Sequence, residues 1–249
     1  MKDIITTGIK NTLRSRTLFI TFIGLVIMLA LAVALGISLL VIGPTVEKNL
    51  PGMESDLELY LGSIMYCVSL LGLGVGINAF AAPSMTKEKS RGNIESLLAT
   101  PLKVKSIWLA KSLAVFLPGL VLAEVLTAIA LVAINYVYIV PKVPEIGFVI
   151  NPWIAISSFV MVPLMYFCLS LLTHLIGLTG SPQTANTVVQ VFLPLILALT
   201  MNLGLREILD MTSWYFALIN LGIAAVIGIV VVFLYPRLTK ERVVLSRRE

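Results

Sequence analysis

One ionisable residue, Glu124, lies deep inside an apolar segment of this 249-residue chain. A carboxylate in hydrocarbon is costly unless it is protonated, paired with a partner or in contact with water. Glu124 is therefore a candidate for a residue that faces a translocation path. The alternative is a structural hydrogen bond to Asn78 or Asn135, and these two asparagines are candidates for the same path.

The other reactive residues are isolated along the sequence. His174 is the only histidine, and no second histidine, cysteine pair or carboxylate cluster accompanies it at the spacing of a metal site. Cys67 and Cys168 lie in apolar runs, where cysteine usually packs as a small hydrophobic residue. Because no nucleophile–base pair lies in the apolar segments, we assign no catalytic residue and no metal site.

The sequence also lacks a common nucleotide-binding loop. It contains no G-x-x-x-x-G-K-[ST] pattern and no Gly-Lys dipeptide. Since that loop holds phosphates through its backbone amides and its lysine, we do not expect the chain to bind ATP in this way. We expect no cofactor in this chain.

The amino-acid composition indicates which class of secondary structure carries these residues. Hydrophobic residues make up 58% of the chain and charged residues 12%, and the mean hydropathy is +1.00. Soluble domains carry about 25% charged residues, so the composition predicts an all-α integral membrane protein. The formal net charge of +5 reflects basic residues between the apolar segments, and no nucleic-acid partner is expected.

Six apolar segments are long enough to cross about 30 Å of hydrocarbon. Their approximate limits are 18–43, 60–82, 107–140, 152–178, 188–205 and 214–235. The third is over-long, which indicates a tilted helix or one that extends beyond the hydrocarbon. Gly72 and Gly76, four residues apart, predict a close helix–helix contact. Pro118, Pro163 and Pro194 predict kinks in the third, fourth and fifth segments.

The distribution of charge predicts the orientation in the membrane. Fifteen of the 18 Lys and Arg residues lie before the first segment, between the second and third, or after the last. The other connections carry most of the acidic residues. By the positive-inside rule, both termini and the connection between segments two and three are cytoplasmic, in a multi-pass protein of the plasma membrane.

Residues 1–17 predict an amphipathic helix along the cytoplasmic interface, in contact with membrane lipids. The apolar positions at helical spacing are Ile4, Ile5, Ile9 and Leu13, and the opposite side carries Lys10, Asn11 and Arg14. The alternative is an ordinary basic leader before the first segment. We treat residues 1–249 as a single transmembrane domain.

The connection between segments two and three contains the basic stretch KEKSRGNIESLLATPLKVK at 87–105. Over residues 84–101 a polar half is followed by Ile94, Leu97 and Leu98 on one helical face, and Pro101 ends the pattern. A solvated loop is the simplest interpretation. The length, charge density and apolar face favour a docking helix.

This stretch and its continuation, TKEKSRGNIESLLATPLKVKSIWLAKSL, resemble the signature of ABC-2-type transporter permeases. The matching positions are Glu88, Gly92, Glu95, Leu97–Leu98 and Thr100–Pro101. Asn93 stands where the family more often has threonine. The sequence SPQTANTVVQVFLPL, which leads into the fifth segment, also resembles the family.

The resemblance implies a permease that works with separate ATPase subunits, which bind ATP and Mg²⁺. It also implies a homodimer, or a heterodimer with a related permease, that exports its substrate. Residues 84–101 would be the coupling helix. The expected contacts with the ATPase are Lys87, Glu88, Lys89, Arg91, Gly92, Glu95, Leu97 and Leu98.

The apolar segments and short outward connections favour an amphipathic or lipid-like substrate. Two alternatives from other classes both rely on Glu124. A membrane-embedded enzyme would need partner residues that the apolar segments lack. An ion-coupled secondary transporter would be expected to show more charges inside the membrane or an inverted repeat.

Overall fold

The computed structural model of the chain describes residues 5–10, 16–48, 53–90, 102–205 and 209–245, with the backbone alone at 16–19, 48, 81–90, 182, 201, 205 and 245. Within these ranges the chain forms helices and short connections, and no strand is present. The predicted all-helical class is thereby confirmed for the part of the chain that the structure describes.

Six long helices follow a short one, α1, at residues 5–10. They are α2 (Arg16–Ile37, Ser38–Ile42 and Gly43–Lys48), α3 (Met53–Ser90), α4 (Val104–Ala133, Ile134–Ile139 and Val140–Lys142), α5 (Pro152–Ile156, Ser157–Met161 and Val162–Thr179), α6 (Pro182–Leu205) and α7 (Trp214–Leu234, with a 3-10 turn at Tyr235–Arg237). A last short helix, α8, covers Lys240–Leu245.

Helices α2 to α7 are each long and apolar enough to cross a membrane. Their apolar stretches contain 22 to 39 residues, and about 20 residues suffice to span the hydrocarbon. The six predicted segments are therefore confirmed as six helices. The third is the longest, at 39 residues, in line with its over-long apolar run.

Successive helices run in opposite directions. Between α4 and α5, the Trp108 indole contacts the Leu171 carbonyl and Phe116 packs on Phe167. Residue numbers therefore increase along α4 in the direction in which they decrease along α5, so these two helices are antiparallel. The bundle therefore has two ends. The end of the bundle with the helix ends near residues 16, 90, 104, 179 and 237 is called the basic end, and the opposite end is called the acidic end.

Helix α3 lies at the centre of the bundle. Inside the bundle 78% of its apolar stretch is buried, against 17–44% for the other five helices. A methyl group placed on Gly62 would meet the Ile154 side chain of α5, and one on Gly74 would lie 2.7 Å from Leu193 of α6. Helix α2 also contacts α3, through Val26.

The closest helix pair is α3 with α4, and it is built from small residues. A methyl group on Gly72 would lie 2.8 Å from the Ala123 Cβ, and one on Gly76 would lie 3.1 Å from the Gly119 Cα. On both helices the two small residues are four apart, so they lie on one face. The predicted close contact at Gly72 and Gly76 is confirmed, with Gly119 and Ala123 as its other half.

Three π-helical turns, at Ser38–Ile42, Ile134–Ile139 and Ser157–Met161, interrupt α2, α4 and α5. Each ends two residues before a proline, at Pro44, Pro141 and Pro163. Because proline has no amide hydrogen, the regular hydrogen-bond pattern cannot continue through it, and a wider turn accommodates the change. Pro163 thus lies beside a π turn, whereas Pro118 and Pro194 lie inside α-helical segments.

Helix α1 shows the amphipathic pattern in the part that the structure describes. Ile5, Gly8 and Ile9 are half-buried, whereas Lys10 is exposed. A methyl group on Gly8 would lie 2.8 Å from the Cβ of Ala114 in α4. The rest of the predicted interfacial helix, including the apolar positions 4 and 13, lies outside the described residues.

We predict that Gly72→Ala lowers the thermal unfolding midpoint of the purified chain by several degrees. The added methyl group meets the Ala123 backbone and side chain, and overpacking of this kind costs about 1–3 kcal/mol. Gly36→Ala is the control, since a methyl group there meets nothing within 4 Å. The control should be neutral or stabilising because alanine favours helix. Equal midpoints for the two variants would contradict the packing argument.

Candidate functional site

The basic stretch begins as the last part of α3. Helix α3 contains 38 residues, which corresponds to about 57 Å at 1.5 Å per residue. The hydrocarbon of a bilayer is about 30 Å thick, so α3 is far longer than a span requires. Lys87, Glu88 and Lys89 lie on its last turn, at the basic end. The other predicted contacts, Arg91, Gly92, Glu95, Leu97 and Leu98, lie outside the described residues.

One proline, Pro83, lies in this extension of α3. Proline lacks an amide hydrogen, so the carbonyl of residue 79 loses its usual helical partner. The backbone nevertheless stays helical from Met53 to Ser90. The predicted coupling helix at 84–101 therefore starts, over 84–90, as a direct continuation of the central helix.

Near the basic end, α4 and α5 are joined by hydrogen bonds between side chains and carbonyls. The Trp108 Nε1 donates to the Leu171 carbonyl at 3.0 Å, and the Ser170 hydroxyl donates to the Ser112 carbonyl at 3.2 Å. His174 is buried, with its Nδ1 2.9 Å from the Ser170 carbonyl. The Trp108 and Ser170 bonds hold α4 against α5 near the start of α4, whereas the His174 contact lies within α5.

At the acidic end, Asn135 holds the connection between α4 and α5. Its amide nitrogen donates to the carbonyls of Leu131 and Val149, each at 3.0 Å. Its amide oxygen accepts a hydrogen bond from the Val149 N–H at 2.7 Å. Asn151 then caps the start of α5 and donates to Glu58 of α3 at 2.9 Å. The connection is therefore tied to the bundle at two points.

The three path candidates are not brought together. Asn78 is half-buried and donates to the Gly74 carbonyl in its own helix at 3.0 Å. Asn135 lies 11 residues beyond Glu124, about 16 Å along α4. Glu124 is half-buried, and its Oε1 is buried without a hydrogen-bond partner among the described residues. Neither asparagine bonds to Glu124, so the structural hydrogen bond offered as an alternative does not form.

A group of buried polar residues that sequence reasoning missed lies between α3, α5 and α7. We call it the polar cluster, and its members are Tyr66, Ser69, Ser158, Tyr166 and Asn220, all at 0% exposure. The Tyr66 hydroxyl donates to the Asn220 Oδ1 at 2.6 Å. The Ser69 hydroxyl donates to the Ser158 carbonyl at 2.8 Å. These two bonds connect α3 to α7 and to α5.

The π turn in α5 explains why the Ser158 carbonyl accepts from another helix. In this turn the Val162 N–H donates to Ser157, five residues back. The next position is Pro163, which has no N–H to offer. The Ser158 carbonyl is thus left without a helical donor, and in an apolar environment it needs a replacement. The Ser69 hydroxyl supplies it.

Two hydroxyls of the polar cluster have no hydrogen-bond partner among the described residues. They belong to Ser158 and Tyr166. Gly74 makes room for Tyr166, because a methyl group on that glycine would lie 2.9 Å from the Tyr166 Oη and 2.7 Å from the Leu193 Cδ1. The Tyr166 hydroxyl therefore sits where α3, α5 and α6 meet.

The sequence contained only a weak signal for the polar cluster. Single serines, tyrosines and an asparagine within apolar runs are compatible with membrane helices, and their spacing forms no recognisable motif. The pair Ser157–Ser158 before Val162–Pro163 is the most specific sign, because proline frees an upstream carbonyl that a hydroxyl can bind.

Chemically, this arrangement offers hydrogen-bond donors and acceptors in an apolar bundle. In the part of the chain that the structure describes, His, Cys, Asp and Glu side chains form no group of three that could hold a metal ion. The two cysteines are free thiols, Cys67 buried and Cys168 half-buried.

Comparison with models of known families, with characterised proteins and with solved structures gave no match to this chain. The similarity to ABC-2-type permeases therefore rests on the residues of the basic stretch and of 181–195. What the structure adds is six helices long and apolar enough to cross a membrane, and the position of residues 87–90 of the basic stretch at the end of α3.

We predict that Asn135→Ala loosens the connection at 143–151. The substitution leaves the N–H and carbonyl of Val149 without their side-chain partner, a loss that costs about 1–3 kcal/mol when the groups are buried. Trypsin should then cleave faster after the exposed Lys142 in limited proteolysis. Asn78→Ala is the matched control, since that amide bonds only within its own helix. Identical cleavage of both variants would contradict the role of Asn135.

Proposed function

We propose that this chain is the membrane subunit of an ABC-2-type exporter. The observation that carries the proposal is that α3 is one helix from Met53 to Ser90. It contacts α2, α4, α5 and α6 and leads directly into the stretch that resembles the family's coupling helix. A force applied to this stretch acts on the centre of the bundle.

In this proposal the basic end faces the cytoplasm, where separate ATPase subunits bind ATP and Mg²⁺. The docking surface begins at Lys87, Glu88 and Lys89 and continues through the rest of 84–101. Two permease copies, or this chain with a related permease, form the transporter. Cycles of ATP hydrolysis then move an amphipathic or lipid-like substrate out of the cytoplasm.

The central position of α3 supports this mechanism. Its contacts at Gly72 and Gly76 leave no side-chain layer between α3 and α4, so these two helices move together. The contact at Gly74 is with Leu193, a flexible side chain of α6. Motion of α3 is therefore transmitted directly to α4 and less rigidly to α6.

We predict that Glu88→Ala combined with Glu95→Ala reduces co-purification of the ATPase and its stimulation by the permease at least about tenfold. The family resemblance places both carboxylates at the ATPase contact, and charged contacts at interfaces contribute strongly when they are desolvated. Membrane insertion and the thermal midpoint should stay unchanged.

Glu47→Ala combined with Glu54→Ala is the matched control for the loss of two negative charges. Both carboxylates are exposed at the acidic end of the bundle. This variant should bind the ATPase as the unmodified chain does. Full ATPase binding by the Glu88 and Glu95 variant would refute the docking role of these residues.

We predict that Thr86→Pro separates ATPase binding from transport. The new proline removes the helical hydrogen bond to residue 82 and weakens the helix between the bundle and the docking residues. The ATPase should still bind, while transport in proteoliposomes falls at least about tenfold. Thr86→Ala, which keeps the helix, should transport normally. Transport by Thr86→Pro at the normal rate would show that a continuous α3 is not required.

One observation favours a second candidate function, an ion-coupled transporter. The Glu124 Oε1 is buried in α4 without a partner in the described chain, and an ionisable side chain inside the membrane is a candidate for binding and releasing a proton. Transport by the chain in vesicles without any ATPase, abolished by Glu124→Gln, would support this function. Transport that requires the ATPase and survives Glu124→Gln would reject it.

A further inference from the structure

Two hydroxyls of the polar cluster differ from its other polar groups because they have no hydrogen-bond partner among the described residues. Ser69, Tyr66 and Asn220 all donate to a defined acceptor. Tyr166 and Ser158 are equally buried, yet their hydroxyls have no partner among the described residues. An unpaired hydroxyl in an apolar interior costs free energy. Such a group is explained if it is paired in another state of the molecule.

Both hydroxyls belong to α5, on the side that meets α3. The Ser158 carbonyl bonds to Ser69, and the Tyr166 Oη lies next to the Cα of Gly74. Ser69 and Gly74 are five residues apart on α3, about 7.5 Å along the helix axis. A small polar group can therefore bind the Tyr166 hydroxyl, and a longer one, such as an ester or an amide, can also extend toward Ser158.

Helix α6 packs against this region through two adjacent side chains, Leu193 and Phe192. Leu193 occupies the space over Gly74, beside the Tyr166 hydroxyl. The next residue, Pro194, lies inside α6, so the carbonyl of residue 190 has no helical donor and the helix bends more easily there. Displacement of Leu193 would therefore expose the Tyr166 hydroxyl to a ligand.

We propose that the polar cluster binds the uncharged polar group of an amphipathic molecule, with Tyr166 and Ser158 as its hydrogen-bond partners. The proposal rests on the proposed export function and names the class of its substrate. Suitable groups are alcohols, esters, ethers and amides, because a hydroxyl can both donate to them and accept from them. The apolar part of the ligand would lie along the helices.

Charge and packing around the polar cluster support an uncharged ligand. None of its hydrogen bonds among the described residues involves a carboxylate, ammonium or guanidinium group. Phe216 packs edge-on to Tyr66 at 4.8 Å, and Phe192 lies 6.1 Å from Tyr166. An ionised group would lose its hydration here without gaining a counter-charge.

The test uses the full chain in phosphatidylcholine nanodiscs, without any ATPase. The probe is hexadecanol with a photoreactive diazirine next to its hydroxyl, and labelled peptides are identified by mass spectrometry. We expect labelling of α5 and α6 around residues 158–166 and 190–193. Tyr166→Phe should reduce it about tenfold, the effect of one buried hydrogen bond. The same probe with an ammonium head should not label these residues.

Two further variants separate binding from folding. Tyr66→Phe removes a hydroxyl that is already bonded to Asn220, so it should lower the thermal midpoint and keep the labelling. Leu193→Ala should increase labelling several-fold by uncovering Tyr166. Leu195→Ala, at an exposed position of the same helix, should leave the labelling unchanged.

Equal labelling of Tyr166→Phe and the unmodified chain would overturn the proposal, as would labelling confined to exposed residues such as Val160 and Leu164. Tyr166→Phe removes only an unpartnered hydroxyl, so it should fold normally. If it does not, Ser158→Ala serves the same purpose. Because no ATPase is present, failure of this test differs from failure of the docking experiment, which measures ATPase binding.

Discussion

The contact between the small residues of α3 and α4 is the constraint on which the bundle depends. Lipid tails are as apolar as leucine, so helices in a membrane associate through close packing and hydrogen bonds. Gly72 and Gly76 of α3 meet Ala123 and Gly119 of α4 so closely that a methyl group added to Gly72 would lie 2.8 Å from the Ala123 Cβ. This contact and the other close contacts of α3 make it the most buried of the six helices.

A second constraint is that a membrane helix must satisfy its own backbone. Pro44, Pro141 and Pro163 each break the pattern, and each follows a π turn near the acidic end of its helix. At Pro163 the freed Ser158 carbonyl is bonded by Ser69 of α3. A local sequence feature thereby produces a contact between two helices and places the polar cluster.

Hydrophobicity and glycine spacing were sufficient to predict six helices and the close face at Gly72 and Gly76, because both depend on local sequence. A helix was predicted over 84–101, but its continuity with α3 was not, because Pro83 lies between the apolar segment and residues 84–90. The role of Asn135 depends on Val149, fourteen residues away. The polar cluster joins residues up to 154 positions apart, and no periodicity in one sequence reveals such pairs.

Helix α3 connects residues 84–90, where the proposed docking surface begins, to the polar cluster. The type of each contact along α3 determines which helices can separate. At Gly76 the neighbour is the backbone of Gly119, which cannot yield without moving α4. At Gly74 the neighbours are the tips of the Leu193 and Tyr166 side chains, which can rotate. A displacement of α3 should therefore carry α4 along and open the contact with α6. That contact is the one that covers the Tyr166 hydroxyl, so a force on residues 84–90 would act where the proposed ligand binds.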